Sequence, residues 1–378
     1  MSNRLLWNLL CAALAAVLMA CGPAQAAPLV ITQAQAVASP GERFPEGLPM
    51  QTVRLPDDWS QTRPRYDGSV WYRAAFDAPA DTRRDDLLAL YIERACTNVE
   101  VFLNGHRVYS GGRMAEPLTR NCYHPQLVTL PAALLHSQGN QLDLHLMGSA
   151  LQRVAARQRA GGLSPLVIGP QSQLAASYNE RLFWNVTLVE MTSLTLLIVG
   201  SFMLGLFWLN RREVPLLYFG TLLAGWALLS TRVWWRDLPM DTATVEFIAC
   251  CAFPPLVACL VQFLLSYAAL RSRLIEAMLI AQCVLMPLSL MLAGPSRLHT
   301  TANGWFAVLA VEVFAAIGLY LTVVWKHRRP DFAPMLMILG GTAGLMLYAI
   351  AVQLQAVQQP PVQLMHFAVP VLFLGIGS

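Results

Sequence analysis

The chain has 378 residues, of which 56% are hydrophobic and 13% are charged, and its mean hydropathy is +0.47. This composition is too apolar for an ordinary soluble protein and indicates a chain that enters a membrane. The formal net charge of +4 is spread over both halves without a long basic run that is interleaved with aromatic residues, so we expect no nucleic-acid partner.

The N-terminal residues 1–26 have the pattern of a secretory signal peptide. Arg4 precedes an apolar run over residues 5–20, and a group of small residues ends at Ala26. The residues before Cys21 also resemble a lipoprotein cleavage box, so lipidation of Cys21 is an alternative to cleavage after Ala26, and an uncleaved anchor is a third. All three alternatives place the residues that follow outside the cytoplasm.

The chain contains eight cysteines, and only Cys96 and Cys122 lie in the exported part, away from the signal peptide and the apolar stretches. An oxidising compartment favours a disulfide between them, and two buried free thiols are the alternative. No cysteines have the spacing of metal ligands. We therefore expect neither a metal nor a cofactor.

Residues 27–178 show the alternation of a β-rich domain. Side chains of residues 70–76 alternate with period two, which places them on opposite faces of a strand. Another strand, residues 99–103, ends at Asn104-Gly105, a dipeptide that favours a hairpin turn because both positions tolerate positive φ. Short strands separated by Pro, Gly and Asn predict an antiparallel sandwich.

Three segments of this domain resemble the jelly-roll sugar-binding module of family-2 glycoside hydrolases. They are residues 55–59 (LPDDW), residues 68–76 (GSVWYRAAF) and residues 99–106 (VEVFLNGH). The resemblance covers nearly the whole exported domain and implies a galactose-binding-like jelly roll more firmly than it implies a ligand. It is a resemblance to an accessory module, and no catalytic domain with paired carboxylates follows, so we expect no glycan hydrolysis.

Ligand-binding residues of this domain are expected among aromatic and polar side chains. Trp71, Tyr72 and Arg73 are suited to stack on a sugar and to hydrogen-bond with it, and a packed strand is the alternative interpretation. Further candidates lie near predicted strand ends or loops, each with solvated surface as its alternative: Arg94, His106, Arg107, Tyr123 and His124. No pair has a catalytic arrangement, so the chain as given is not expected to be an enzyme.

The second part of the chain, residues 179–378, contains seven apolar stretches, and a helix needs about 20 apolar residues to cross a bilayer. The spans are predicted at residues 182–209, 214–235, 245–269, 274–294, 304–325, 333–354 and 362–378. The predicted fold is therefore a multidomain membrane protein, in which an exported all-β jelly-roll sandwich precedes an all-α bundle of seven transmembrane helices.

Basic residues are distributed unequally between the loops that join these spans. The loops after the first, third and fifth spans contain Arg211, Arg212, Arg271, Arg273, Lys326, Arg328 and Arg329, whereas the other loops contain few. The positive-inside rule places these three loops in the cytoplasm. This orientation predicts a multi-pass protein of the bacterial inner membrane with a periplasmic N-terminal domain and a cytoplasmic C-terminus.

Ionisable residues occur within the predicted spans, where an unpaired charge costs at least a few kcal/mol. Glu190 and Glu312 lie inside their spans, and Arg232, nearer the outer surface, is expected to pair with one of them or to extend outward. A structural ion pair or a protonated glutamate is one interpretation, and a signalling or proton-linked role is the other. His366, early in the last span, is expected to contact a neighbouring helix.

A signal peptide, an exported jelly roll and seven spans, in this order, resemble the bacterial seven-transmembrane receptors with diverse intracellular signalling modules. Residues 71–73 and the Asn104-Gly105 segment carry the resemblance in addition to the order. It implies a receptor that senses a small-molecule or carbohydrate-like ligand and relays it to a cytoplasmic module, most often a histidine kinase and otherwise a diguanylate cyclase. The sequence has neither module's motifs, so we expect an N-terminal fragment of a longer sensor or a receptor that acts through a partner.

The alternative is a transporter, or a membrane-embedded glycan-modifying protein with an accessory sugar-binding domain. Either would need paired half-helices or several polar residues that converge at the midplane of the membrane. The partners expected in all cases are membrane lipids and the ligand. Gly340, Gly341 and Gly344 on the sixth span permit close helix approach, either within the chain or in a homodimer.

Overall fold

The computed structural model describes residues 27–78, 87–270, 272–327 and 332–357. An all-β domain comes first and is followed by a helical bundle, which contains six helices that are long and apolar enough to cross a membrane. The signal peptide with Cys21, and the predicted seventh span with His366, lie outside the described residues. Six membrane-capable helices are therefore established, and the seventh stays a prediction.

The β-domain consists of two larger antiparallel sheets and a small three-stranded one. The six-stranded sheet has the order β3 (Gln51–Arg54), β2 (Gln33–Ala38), β5 (Gly68–Phe76), β11 (Asn140–Gly148), β8 (Asn98–Leu103) and β9 (His106–Ser110). The four-stranded sheet has the order β1 (Leu29–Ile31), β13 (Leu166–Pro170), β6 (Leu88–Ile92) and β10 (Gln126–Thr129). The small sheet joins β4 (Asp57–Asp58), β12 (Gly162–Leu163) and β7 (Ala95–Cys96).

One apolar core lies between the two larger sheets. Val70, Tyr72 and Phe76 reach it from β5, and Leu90 and Ile92 reach it from β6. The period-two alternation of β5 is therefore confirmed, because alternate side chains of this strand face the other sheet. Full burial of an aliphatic or aromatic side chain stabilises a fold by about 1.5–3 kcal/mol, so these contacts hold the sandwich together.

The hairpin predicted at Asn104-Gly105 is also confirmed. Asn104 has φ of 49° and Gly105 has φ of 83°, and the two residues connect β8 to β9. The Asn104 side chain donates a hydrogen bond of 2.6 Å to the carbonyl oxygen of Leu134 and accepts one of 2.7 Å from the amide of Gln141. The turn is thus tied to Leu134, which precedes β11, and to Gln141 at the start of β11.

The helices follow the sandwich in the chain, except for a single-turn helix within it. They are α1 (Trp59–Thr62), α2 (Gln171–Leu182), α3 (Leu188–Leu209), α4 (Val214–Trp234), α5 (Thr242–Tyr267), α6 (Arg273–Ala293), α7 (Leu298–Lys326) and α8 (Phe332–Gln353). Prolines occur inside α5 and α6. The helices α3 to α8 correspond to the first six apolar stretches predicted from the sequence. A helix satisfies its backbone hydrogen bonds internally, as a bilayer requires.

A continuous helix connects the two domains. The last strand ends at Pro170, and a helical segment then runs over Gln171–Leu209, in which α2 and α3 are joined by a π-helical segment at Phe183–Thr187. In α2, Leu174 packs against Ala89 and Tyr91 of the β-domain. The helix that enters the bundle is therefore anchored on the sandwich by its own side chains.

In the bundle, α5 is the central helix and packs against α4, α6 and α7. The backbones of α3 and α4 approach closely, so that a Cβ added to Gly200 would lie 2.9 Å from the carbonyl oxygen of Gly220. Small residues allow this approach, which maximises van der Waals contact in the absence of a hydrophobic driving force in lipid.

The sandwich lies at one end of the bundle. The connection between α4 and α5 contacts it, because the amide of Arg120 donates to the carbonyl oxygen of Arg236 at 3.0 Å. The start of α7 contacts it as well, through a 3.0 Å hydrogen bond between His299 Nδ1 and the carbonyl oxygen of Val154. Since α4 ends at this side, the connection between α3 and α4, which contains Arg211, lies at the opposite end.

Candidate functional site

Two of the proposed sugar-binding residues lie inside the fold. Tyr72 is fully buried, and its hydroxyl accepts a 2.7 Å hydrogen bond from Trp59 Nε1 and donates one of 2.7 Å to Asp57. Burial, followed by the Asp57 charge, raises the pKa of Tyr72 well above its ordinary value. Trp71 is fully buried on the other face of β5, where it stacks on His145 with 4.3 Å between ring centroids.

A short segment after β2 covers this outer face. Within it, Gly41 accepts a 3.0 Å hydrogen bond from Trp71 Nε1, and Phe44 lies under the guanidinium of Arg73 at 3.4 Å. Arg73 also donates to both oxygens of Asp143, at 2.7 and 2.9 Å. The aromatic and cationic groups of this strand are thus occupied by partners from the chain itself, as in a packed strand.

The remaining candidates divide between the surface and the domain junction. His106 and Arg107 are exposed on β9, where Arg107 pairs with Glu100 at 3.0 Å. His124 is buried, and burial followed by the charge of Arg236 lowers its pKa to about 4. Its neutral ring lies against the bundle.

Arg94 and Tyr123 lie close to the same junction. The guanidinium of Arg94 donates to the carbonyl oxygen of Gln158, and its amide donates to Ser164 Oγ at 3.1 Å. The ring of Tyr123 lies beside Arg159, with 5.9 Å between the guanidinium carbon and the ring centroid. The structure therefore brings Arg94, Tyr123 and His124 toward one region and leaves Trp71, Tyr72, Arg73, His106 and Arg107 elsewhere in the sandwich.

A disulfide fixes the loop that carries Tyr123. Cys96 of β7 and Cys122 are bonded across a sequence separation of 26 residues. Asn121 reinforces this link, because its amide donates to the carbonyl oxygen of Thr97 at 2.8 Å and its side chain donates to that of Gly111 at 2.9 Å. The loop is thereby held against the sandwich with its charged residue, Arg120, toward the bundle.

A buried ion pair joins the two domains at this loop. The guanidinium of Arg159 pairs with Glu246 in the first turns of α5, and the second carboxylate oxygen accepts a 3.0 Å hydrogen bond from the amide of Ala155. Glu246 is 2% exposed and Arg159 is 7% exposed. Burial alone would lower the pKa of Arg159, but the adjacent Glu246 carboxylate raises it above the ordinary value.

Two more guanidinium groups, those of Arg120 and Arg232, lie near the Arg159–Glu246 pair. Arg120 is 8% exposed, and burial followed by the nearby charge of Arg159 lowers its pKa. Arg232, near the end of α4, interacts with the charges of Arg159 and Glu246. We call Arg120, Tyr123, Arg159, Arg232 and Glu246 the junction cluster; it contains three cations and one anion.

The junction cluster surrounds a cavity of about 20 Å³. Thr97, Cys122, Val154 and Thr242 complete its lining. Among the described residues, neither Nη2 of Arg120 nor Nε of Arg232 has a hydrogen-bond partner, although both atoms are buried. The junction cluster therefore contains buried donors that lack an acceptor among the described residues, an arrangement that normally costs about 1–3 kcal/mol per group.

The acidic residues predicted inside the membrane lie away from this cluster. Glu190 on α3 is partly buried, and Glu312 on α7 is partly buried beside Gln282 of α6. Among ion pairs between described residues, none includes Glu190, Glu312 or Arg232. Neither the junction cavity nor a second, apolar cavity beside Phe247 is lined by either glutamate.

Sequence reasoning did not identify Arg159 or Glu246 as site residues. Glu246 carries a usable signal, because it is the sole acidic residue between positions 242 and 269 of an otherwise apolar run. Arg159 follows Arg153 and Arg157 in the approach to the membrane, which is a weaker signal. Their pairing is not visible in the sequence, since 87 positions separate the two residues.

No protein-family model matches the sequence, and no curated protein matches it. Among solved structures, a β-glucuronidase of Faecalibacterium prausnitzii is 15% identical with a TM-score of 0.29, over 39% of this chain and 33% of that one. The β-glucuronidase of Ruminococcus gnavus is 15% identical with a TM-score of 0.28, over 39% and 30%. A glycosyl hydrolase family 2 member from Bacteroides cellulosilyticus is 13% identical with a TM-score of 0.29, over 38% and 20%.

This chain spans a third or less of the length of those chains. A likeness of this size does not extend the activity of those enzymes to this protein.

Proposed function

We propose that this protein is a transmembrane signal-transduction receptor. In this proposal, the β-domain is a periplasmic jelly roll that senses a ligand, carbohydrate-like in the family that the sequence resembles. Residues 362–378 complete the bundle to seven spans, and the bundle relays the binding signal to a cytoplasmic signalling module. A histidine kinase is the first choice for this module and a diguanylate cyclase is the second. The observation that carries the proposal is the coupling of the two domains at the junction cluster.

The coupling is both covalent and electrostatic. The Gln171–Leu209 helix enters the bundle directly from the last strand. The Arg159–Glu246 pair ties a loop of the sandwich to α5, the central helix of the bundle. Because breaking a buried ion pair by removal of one partner costs about 3–5 kcal/mol, a displacement of the sandwich that strained this pair would favour a new position of α5.

The orientation in the membrane is proposed from charge. Three basic residues lie at the end of the bundle away from the sandwich: Arg211 in the loop after α3, Arg273 at the start of α6 and Lys326 at the end of α7. Arg211 also lies over the ring of Trp208 at 4.2 Å, a pairing suited to a membrane interface. Basic loops favour the cytoplasmic side, so the sandwich is assigned to the periplasm of an inner membrane.

The relay can be tested by distance measurement between two spin labels at the far end of the bundle. The full chain, reconstituted in nanodiscs and stripped of cysteines other than Cys96 and Cys122, carries labels at Arg212→Cys and Lys326→Cys. The substitution Glu246→Gln removes the charge that holds Arg159. We expect the distance distribution to shift by about 1–2 Å or more, the size of helix shifts in known switches.

The matched control is Glu190→Gln, which removes a carboxylate from the bundle without touching the sandwich. This variant should leave the distribution unchanged. A folded Glu246→Gln protein whose far-end distances equal those of the parent would contradict a relay through the junction.

A further inference from the structure

The charges of the junction cluster do not balance. Arg120, Arg159 and Arg232 contribute three positive charges around one cavity, and Glu246 contributes one negative charge. Glu246 pairs with Arg159 and accepts from the amide of Ala155. Among the described residues, three guanidinium groups therefore share one buried carboxylate, and the desolvation of an ion that is not fully compensated costs several kcal/mol.

Neighbouring acidic residues do not supply this charge. Glu116 and Asp241 are exposed, and each interacts with Arg120 more weakly than Glu246 does. The Oε2 atom of Glu116 is engaged by the amides of Leu118 and Thr242, at 3.2 and 3.0 Å. Exposed charges are screened by solvent and ions, so they compensate a buried guanidinium poorly.

The origin of the guanidinium groups adds a geometric argument. Nη2 of Arg120 comes from the sandwich and Nε of Arg232 comes from the bundle, and both atoms are buried without a partner among the described residues. Arg120 and Arg232 line the same cavity. An anion in the cavity would therefore lie between guanidinium groups of both domains.

The size of the cavity limits what this acceptor is. Its volume of about 20 Å³ exceeds the roughly 10–15 Å³ that one water molecule requires. A water molecule would accept from the guanidinium groups, but it would leave their charge uncompensated and would bring two donors of its own. A negatively charged atom of similar size satisfies both the hydrogen bonds and the charge.

We propose that this cavity binds a small anion, either a halide or a single carboxylate group, between the guanidinium groups of Arg120 and Arg232. Binding would hold the sandwich against the bundle, because the two arginines belong to different domains. The binding itself is independent of the receptor function, whereas a role of the anion as signal or as co-ligand rests on that proposed function.

The site is tested by thermal unfolding of the full chain in nanodiscs, followed by intrinsic tryptophan fluorescence. At constant ionic strength, a bulky morpholinoethanesulfonate salt is replaced in one series by chloride and in another by formate. We expect a saturable rise in the unfolding midpoint of about 2–4 °C in at least one series. A rise with chloride alone identifies an inorganic ion, and a rise with formate identifies a carboxylate ligand.

Arg120→Gln should abolish this rise, and Arg232→Gln, on the other side of the cavity, should do so independently if the first variant fails to fold. Arg107→Gln, which removes an exposed guanidinium, is the matched control and should keep it. An equal rise in the parent and in both cavity variants would show a general salt effect and overturn the site. If neither chloride nor formate raises the unfolding midpoint, the proposed anion site is also overturned.

The spin-label measurement separates this inference from the receptor proposal. An anion that raises the unfolding midpoint without changing the far-end distances supports the site and contradicts its use as a signal. A far-end shift in Glu246→Gln without any anion effect supports the relay and contradicts the site.

Discussion

At the scale of single residues, Glu246 has the most consequential environment in the molecule. Its carboxylate accepts from Arg159 and from the amide of Ala155, both in the sandwich, although Glu246 itself belongs to α5. The sequence contains one acidic residue in the first turns of this helix, but its partner could not be inferred. Charge pairing between residues that are distant in sequence depends on how the domains dock, and a local sequence pattern does not predict that docking.

His124 provides a residue-scale prediction about pH. Its pKa in the folded protein is about 4, whereas an unperturbed histidine has a pKa of about 6.5. The unfolded chain therefore binds more protons between these values, so stability is complete above pH 6.5 and falls as the pH drops toward 4. The loss from this residue should approach about 3 kcal/mol, and His145, whose pKa is also lowered by burial, should add to it in the same direction.

The measurement is the midpoint of denaturant unfolding at pH 7 and pH 5 for the parent and for His124→Gln. Comparison of the two proteins isolates the histidine from the carboxylates, which titrate in both. The variant should lose less stability over this interval, and the exposed His106→Gln should behave like the parent. An identical pH dependence in all three proteins would contradict a neutral, buried His124.

At the scale of elements, the sequence predicted those features that depend on local pattern. The β5 strand and the Asn104-Gly105 turn follow from alternation and from φ preferences, and the apolar helices follow from length and composition. The pairing of β1 with β13 was not predictable, because it joins the two ends of the domain. The cover that the segment around Gly41 forms over Trp71 was not predicted either, because 30 positions separate the two residues.

Contact between α3 and α4 supplies an element-scale prediction. The sequence drew attention to Gly340 and Gly344, yet a Cβ added at either position would meet no described atom within 4 Å, whereas one added at Gly200 would meet backbone atoms at 2.9 Å. Gly200→Val should force the two helices apart and destabilise the bundle by about 1–3 kcal/mol, the usual cost of overpacking.

Gly205→Val is the matched control, since it changes the same helix where no described atom lies within 4 Å of the added Cβ. Thermal unfolding in nanodiscs should show a lowered midpoint for Gly200→Val and little change for Gly205→Val. Equal midpoints for the two variants would mean that α3 and α4 do not approach at Gly200.

At the scale of the whole molecule, the sandwich rests on one end of the bundle and the basic loops lie at the other. Composition and hydropathy were sufficient to predict two such parts and their order. The docking surface was not predictable, because it is built from regions that are distant in the sequence, among them the loop around Arg120, the segment around Arg159 and the first turns of α5.

At this scale we predict the orientation of the protein in the membrane, with the sandwich outside the cytoplasm and the loop after α3 inside it. In a background without free cysteines, Arg107→Cys on the sandwich and Arg212→Cys in the loop after α3 are treated in intact cells with a membrane-impermeant maleimide. We expect Arg107→Cys to react because the sandwich is exported, and Arg212→Cys to react after the membrane is permeabilised. The reverse labelling pattern would place the sandwich in the cytoplasm and remove the basis for a periplasmic sensor.

The unbroken helix between the domains has a geometric consequence. Leu174 packs on the sandwich and Gly200 packs on α4, and the 26 residues between these positions (200 − 174) make about seven turns. A single inserted residue would rotate one packing face relative to the other by about 100°, while it lengthened the helix by only about 1.5 Å. This connection therefore fixes the rotation of the sandwich about the helix axis, relative to the bundle, much more than it fixes the distance between them.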